Sequence, residues 1–425
     1  MKLRLRQLKV LDKHSPFDNQ VVDIYIINGV IADIQIAGYN TEETDFEDID
    51  LTGYFVSPGW IDLRARSGEP GYEQRETLNT LCYAAAKGGY TAVCVLPETS
   101  PAIQTKASLA FFINYRHCTG VELKPIAGVT HNLQGEKLND LLDLHYHGAV
   151  AFSDGNHGIQ HADIMLKTLQ YLKTTGKRLF QRPLLEELAS FAHMHEGLAS
   201  TRMGVKGFPQ MSEYIQVQRD LHLLQYTGGS LHISGISTIK SMEFIADAKS
   251  KGLNVTCDVA VHQLCFTEDD LETFDQNLKV NPPLRTEATR KGLIQGIING
   301  TIDAIVSDHT PLEPELKQIE FDKAEFGISS IETVFKALCT YTPELSTELI
   351  AKLLAHRPMK ILGLTPHIID IGNAIPLTIF TNQGTSSENI KSRASRSHNS
   401  PYIGKELRGG VYGIFTPKNG LYKNQ

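Results

Sequence analysis

Val56-Ser-Pro-Gly-Trp60-Ile-Asp62-Leu-Arg64-Ala-Arg66-Ser-Gly68-Glu-Pro-Gly71 is the stretch on which the reading of the chain turns. A short apolar strand ends in Asp62, and the period of two in a strand then points Arg64 and Arg66 to the same side. In a barrel of parallel strands, working groups stand at such strand ends, just before the loops. A guanidinium stays protonated in a protein and has no lone pair to offer a metal. The place is one for chemistry, yet its two side chains cannot act as electron-pair donors.

Outward from this stretch, the chain falls into three parts. Residues 1–55 read as short strands, beginning with Met1-Lys-Leu-Arg-Leu-Arg6. Val21–Ile27 and Val30–Ile36 flank Asn28-Gly29, a strong hairpin signal. Residues 56–365 alternate apolar strands with helices. Thr91–Leu96, Gly148–Phe152, Ser230–Ser234, Asn254–Val259 and Ala304–Ser307 read as strands buried on both faces. Helices over Glu76–Lys87 and Ile239–Lys251 are closed by Gly88-Gly89 and Gly252. So many β-then-α units favour a closed barrel over an open sheet, although periodicity does not settle closure. Residues 366–425 return to strands at Ile375–Phe380 and Gly410–Phe415, and the polar segment Gln383–Asn399 between them reads as an exposed loop. Both β-rich ends are expected to pair into one small domain.

Composition sets bounds on function. The 425 residues, 41% hydrophobic and 21% charged, are enough for a barrel of about 250 residues and a second domain. A formal net charge of -7 argues against nucleic-acid or anionic-membrane partners, which favour a basic face. There is no apolar run of about 18 residues for a membrane span, and no signal-peptide core at the start. Cys82, Cys94, Cys118, Cys257, Cys265 and Cys339 form no C-x-x-C pair. Neither a structural zinc site nor a disulfide framework is expected, and a reducing cytoplasm suits the chain.

Ordered motifs then carry a family resemblance. They are Pro58-Gly59-Trp60-Ile-Asp62, Asn281-Pro-Pro-Leu-Arg285, Gly300-Thr-Ile-Asp-Ala-Ile305, Ser307-Asp308-His309-Thr-Pro311, Phe326-Gly327 with Glu332-Thr333, and Ser397-His-Asn399 through Gly409. The chain resembles the dihydroorotases of the amidohydrolase superfamily, which close carbamoyl-aspartate to dihydroorotate; allantoinases and hydantoinases are near relatives. The resemblance implies a TIM-type (β/α)8 barrel with a small β-sandwich-like domain formed by both termini.

Several departures accompany these matches. The family's H-x-H falls on Arg64 and Arg66, and its next substrate-binding arginine on Gly68. The asparagine of M-P-N-T falls on Glu98, and the histidine ending D-H-A-P-H on Leu312. The ligand histidine of H-x-E-D falls on Arg182, and the last one, in H-V-x-H-V-S-T, on Gly235. Asp154 and Asp308 alone survive of the implied ligand positions, too few for a catalytic zinc with about three protein ligands. No metal or other cofactor is therefore expected. Asp308 is read as a vestigial general base, and the arginines are expected to pair with Asp154 or Asp308. Arg66, Asn281, Phe326 and Gly327 match substrate-contact positions of the family. His262 reads as a hydrogen-bonded core histidine, and His309 either bonds Asp308 or ends its strand. His145, His147, His157 and His161 cluster in sequence around Asp154 and read as solvated loop residues.

Three functions follow as expectations. The first is a dihydroorotase-like chain without turnover, for which the resemblance implies a partnership with aspartate carbamoyltransferase as a scaffold, and a homo-oligomer. The second is an active cyclic-amide hydrolase with zinc at a displaced site of Asp154, Asp308 and loop histidines. The third is an anion-binding regulatory barrel, because three cations at one mouth attract a carboxylate or phosphate.

Overall fold

A computed structural model describes residues 2–38 and 45–424. Strand Trp60–Ala65 is buried along its whole length. It pairs in parallel with Tyr90–Val95, which pairs with Glu122–Pro125. The fourth position is held by one residue, Phe152, which bridges Ala127 on one side and Leu179 on the other. Leu179–Gln181, Leu231–Ile233, Val255–Ala260 and Ala304–Val306 follow, each parallel to the next. Ala65 then bridges His309, bringing the ladder back to its first strand. The parallel strands thus close into a (β/α)8 barrel. The apolar run at Gly148–Phe152 is not the full strand its composition suggests. Ala149–Phe152 are buried while Gly148 is exposed, and among the described residues only Phe152 enters the ladder.

Asp62 fastens the closure. Its Oδ1 accepts the Ser307 amide at 3.0 Å, and its Oδ2 accepts the Ser307 hydroxyl. Burial pushes this carboxyl up to about 7, against the hydrogen bonds from Ser307.

Both ends of the chain build the β domain. Lys2–Val10 pairs antiparallel with Val21–Ile27, and that strand with Val30–Ile36. The turn between them has φ of 50° at Asn28 and 85° at Gly29, as a tight hairpin turn requires. Phe55–Pro58 lies between Lys2–Val10 and Leu377–Ser387, so N- and C-terminal strands share one sheet. The barrel's own first strand therefore starts at Trp60. Leu3, Leu5, Val22 and Ile24 pack with Ile379 and Phe415 in the core of this β-sandwich-like domain.

Trp60 joins the two parts. It is fully buried, its ring lies 5.2 Å from Phe335 and 4.9 Å from Phe380, and its Nε1 donates to Ser57 Oγ at 2.9 Å. Gly89 comes against this ring, where a Cβ would sit 2.7 Å from it.

The helix expected from Glu76 runs over Leu78–Lys87, because Thr77 caps it by accepting the Thr80 amide at 3.1 Å. Glu76 is left outside as a buried acceptor. The expected loop at Gln383–Asn399 is exposed over much of its length, as expected, but it is partly strand and sends several polar side chains inside. Strand Leu377–Ser387 takes its first part, and Glu388, Ser395, Ser397 and Asn399 are buried. The Ser395 hydroxyl donates to Glu76, and the Ser397 hydroxyl donates to the Arg75 carbonyl at 2.7 Å. Polar side chains go inside here because the loops above the barrel have backbone groups that must be paired.

Asn399 is the densest such point. Its Oδ1 accepts the Leu312 amide at 3.1 Å, and its Nδ2 donates to the carbonyls of Thr310 at 2.9 Å and Gly327 at 3.1 Å. Asn399→Ala is expected to cost about 2–3 kcal/mol in a denaturant titration, since it leaves three buried backbone groups unmet. A loss below about 0.5 kcal/mol would show that water takes over those bonds.

Among the described residues, no helix is long and apolar enough to cross a membrane.

Candidate functional site

Arg64 occupies the centre of the barrel mouth with 2% of its surface exposed. Its Nε donates to Asp308 Oδ1 at 2.6 Å, its Nη1 to Ser234 Oγ at 2.9 Å, and its Nη2 to Asn156 Oδ1. Burial opposes its charge, but Asp308, Asp258 and Glu98 outweigh burial and hold its pKa above the ordinary arginine value. For Asp308, burial is likewise outweighed, here by Arg64, His262 and Arg182, and its carboxyl is held below the usual range. Asp308 also has a left-handed backbone, φ 51°, which turns its side chain back over the strand end.

Arg182 comes in from the neighbouring side. Its Nη2 donates to Asn281 Oδ1 at 2.9 Å and its Nη1 to the Gly235 carbonyl at 3.4 Å. Burial, then the charge of Arg64, pulls it down to about 9, so it stays protonated at neutral pH. The two guanidiniums converge on Gly235. A Cβ there would lie 2.5 Å from Arg182 Nη1 and 3.3 Å from Arg64 Nη1, and Gly235 has φ +78°. The missing side chain at 235 is what makes room for both cations.

His262 is buried beside them, 4.0 Å from Asp308 Oδ2. It is not the hydrogen-bonded histidine expected. Among the described residues neither ring nitrogen has a hydrogen-bond partner, and burial holds its pKa down at about 4, with Asp308 opposing and both arginines adding to the shift. The imidazole is neutral.

Arg66 and Glu98 answer one another. Arg66 donates to both carboxylate oxygens, at 2.6 and 3.2 Å, the two-pronged geometry that a guanidinium favours. Glu98 lies over Gly155, where a Cβ would sit 2.4 Å from its Cδ.

Asp154 does not pair with an arginine. Its Oδ1 accepts the amides of Val129 at 2.8 Å and Thr130 at 3.0 Å, and its Oδ2 accepts the Thr130 hydroxyl at 2.6 Å. Burial raises its pKa against those bonds. His309 takes neither expected role, since its Nε2 meets Glu76 at 3.2 Å and its Nδ1 accepts the Ser330 amide at 3.2 Å. The four histidines near Asp154 in sequence form no patch. His157 faces Glu186 at 3.6 Å, His147 faces Asp143 at 3.3 Å, His161 precedes helix Ala162–Lys173, and His145 lines a different cavity. Among the described residues, no group of three His, Cys, Asp or Glu side chains is placed to hold a metal ion.

Phe326 and Asn281 line a cavity of about 410 Å³ beside the arginines, together with Lys279. Gly327 stands next to it with φ +147°, its amide donating to the Lys279 carbonyl at 3.0 Å.

Sequence reasoning missed the support behind Arg64. Ser234 Oγ donates to Asp258 Oδ2 at 3.0 Å, the Gly235 amide donates to Asp258 Oδ1 at 2.6 Å, and His232 Nε2 lies 2.8 Å from Asp258 Oδ2. An acid within the buried run Val255–Ala260 is the signal that points to it, because carboxylates are seldom buried without partners.

Comparison with known proteins agrees with this architecture. A family model described as "Dihydro-orotase-like" matches residues 53–241. A dihydroorotase of Ruminiclostridium cellulolyticum is 34% identical over 413 residues, covering 96% of each chain. One of Geobacter metallireducens is 32% identical over 414 residues, covering 97% of each. In fold, the chain is similar to the L-hydantoinase (dihydropyrimidinase) of Arthrobacter aurescens, with a TM-score of 0.84, 21% identity, and coverage of 100% of this chain and 98% of that one. It is similar too to a dihydropyrimidinase of Brevibacillus agri, with a TM-score of 0.83, 21% identity, and coverage of 100% and 95%. Full-length similarity, at 32–34% identity, to proteins of one name places this chain in the dihydroorotase family.

Proposed function

We propose that this member of the dihydroorotase family binds no catalytic metal, does not turn over substrate, and acts as a structural partner of aspartate carbamoyltransferase. One observation carries the first two parts: the Arg64–Asp308 pair and Arg182 fill the barrel mouth around Gly235. A catalytic zinc requires about three protein donors and an open position. Asp308 is engaged by Arg64, and Asp154 gives both oxygens to Val129 and Thr130. His262 has free nitrogens but stands in the field of two guanidiniums. This donor set does not fit a divalent ion. Arg66 is closed by Glu98, and Asn281 is taken by Arg182, so two of the four family substrate positions are already occupied within the chain.

The partnership rests on the family resemblance, and so does the homo-oligomer. Elemental analysis and an assay for carbamoyl-aspartate cyclisation test the first part. The expected results are metal well below one ion per chain and no turnover above background. Stoichiometric zinc with turnover would instead establish the active hydrolase. For the partner, the purified chain is expected to co-elute with aspartate carbamoyltransferase of the same organism at micromolar concentration. Separate elution would remove the partnership and leave the metal result standing.

A second reading, an anion held at the mouth, is favoured by the buried, unpartnered Arg182 Nε and His262 nitrogens. It requires thermal stabilisation by carbamoyl-aspartate or phosphate without product, and loss of that stabilisation in Arg182→Met.

A further inference from the structure

A larger cavity, about 1180 Å³, lies at the opposite end of the barrel, where the strands begin. Ile61, Leu123 and Val150 line its barrel side, and Leu364, His367 and Lys418 close it from the C-terminal part. Lys418 lies in the turn between strands Glu406–Thr416 and Gly420–Lys423. The cavity is thus shared between the two parts of the fold.

Its charge is one-sided. Arg116, Lys124, Lys177 and Lys418 line it against a single acid, Glu122. Glu122 is engaged by Lys124 at 3.0 Å, and Arg116 donates to the carbonyls of Ile113 at 2.6 Å and Tyr115 at 2.9 Å. Neither Lys177 nor Lys418 has a hydrogen bond or close ion pair from its ammonium among the described residues. His145 and His367, also in the wall, each bury an Nδ1 that has no hydrogen-bond partner among the described residues.

The effect on titration is consistent across the cavity. Burial, then Lys124, lowers the Lys177 pKa; burial, then Lys177, lowers that of His145; burial, then Lys124, lowers that of His367. Lys124 and Lys177 are half-buried and Arg116 and Lys418 exposed, so the cavity presents an electropositive lining, reached from solvent, that attracts an anion. Charge of this kind is not needed at the bottom of a barrel, where side chains ordinarily serve packing.

We propose that this cavity binds an organic anion, with a phosphate or carboxylate head answered first by Lys177 and reached by Lys418 across the cavity, and an apolar body against Ile61, Leu123 and Leu364. Lys177 belongs to the barrel and Lys418 to the β domain, so the ligand ties the two together. The site is separate from the mouth, and its occupancy is independent of whether the mouth holds a metal or turns over.

Titration calorimetry on the full chain, backed by thermal unfolding, tests this with three probes: phenyl phosphate, benzoate, and neutral benzyl alcohol. At least one of the two anions is expected to bind and raise the unfolding temperature, and comparing them tells which head group the site takes. Lys177→Met is expected to weaken that binding by about tenfold or more, and Lys418→Met by a smaller factor. Arg182→Met, at the mouth, is expected to leave it unchanged. The proposal is overturned if neither anion binds at millimolar concentration. It is overturned equally if benzyl alcohol binds as well as the anions, or if both lysine variants, folded by their circular dichroism, bind as the wild type does. Loss of binding in Arg182→Met alone would move the site to the mouth and overturn the assignment.

Discussion

Arg64→Met is expected to lower the stability of this protein by about 3–5 kcal/mol, the cost of leaving one member of a buried ion pair without the other. The wild-type pair is short, 2.6 Å, and Arg64 is 2% exposed, so water cannot easily replace the guanidinium. Methionine fills much of the volume, which confines the effect to the lost charge and hydrogen bonds. The loss falls on three acceptors at once: Asp308, Ser234 and Asn156. Arg64→Met combined with Asp308→Asn is expected to recover a substantial part of the deficit, because the uncompensated carboxylate is then gone.

The pH dependence gives a second readout. In the wild type, the folded-state pKa of Asp308 is depressed. Its contribution to stability is therefore present above the unfolded carboxylate pKa, about 3.9, and is lost as pH falls through the lower folded value. Without Arg64, burial dominates and the folded pKa rises instead. The penalty in the variant is then present above that raised pKa and fades as acid protonates the carboxyl. The stability gap between wild type and variant should narrow on going from neutral pH to acid. A gap that stays constant across that range would mean that Arg64 acts through packing alone.

Gly235→His should be the second most damaging single change. Its Cβ would approach Arg182 Nη1 to 2.5 Å, and φ +78° is strained for any side chain but glycine's hydrogen. Overpacking and backbone strain together are expected to cost about 2–4 kcal/mol in a denaturant titration. With Arg182→His in the same chain, the obstructing guanidinium is removed and the cost of Gly235→His should fall by more than about 1 kcal/mol, as expected for contacting residues. Additive costs would show that 182 and 235 did not change as a unit. Histidine at 64, 66, 182 and 235 together supplies four imidazole donors. Zinc uptake measured on that variant tests whether the frame still holds a metal, with Glu98 left in place of one substrate contact.

The sequence by itself determined a good deal. Alternating strands and helices, the Asn28-Gly29 hairpin and β-rich ends on either side of an α/β body carried the architecture, because buried parallel strands and tight turns leave local composition marks. That arginines stand at 64, 66 and 182, at strand ends where they offer a metal no lone pair, was legible as well, because it depends only on residue type. Pairing of an arginine with Asp308 was expected and is found, but the other partners were not legible. Arg64 takes Asp308, 244 residues away, Arg66 takes Glu98, and Asp154 turns to the backbone instead. The buried roles of Ser395 and Asn399 were hidden in a segment as polar as any surface loop. His262 looked like one more satisfied core histidine. Only the tertiary structure decided these, since hydrogen-bond partners and burial are set by which distant loops share the barrel mouth, and no local pattern records that. The same holds for Lys177 and Lys418, unremarkable singly and brought to one cavity by the packing of barrel on β domain.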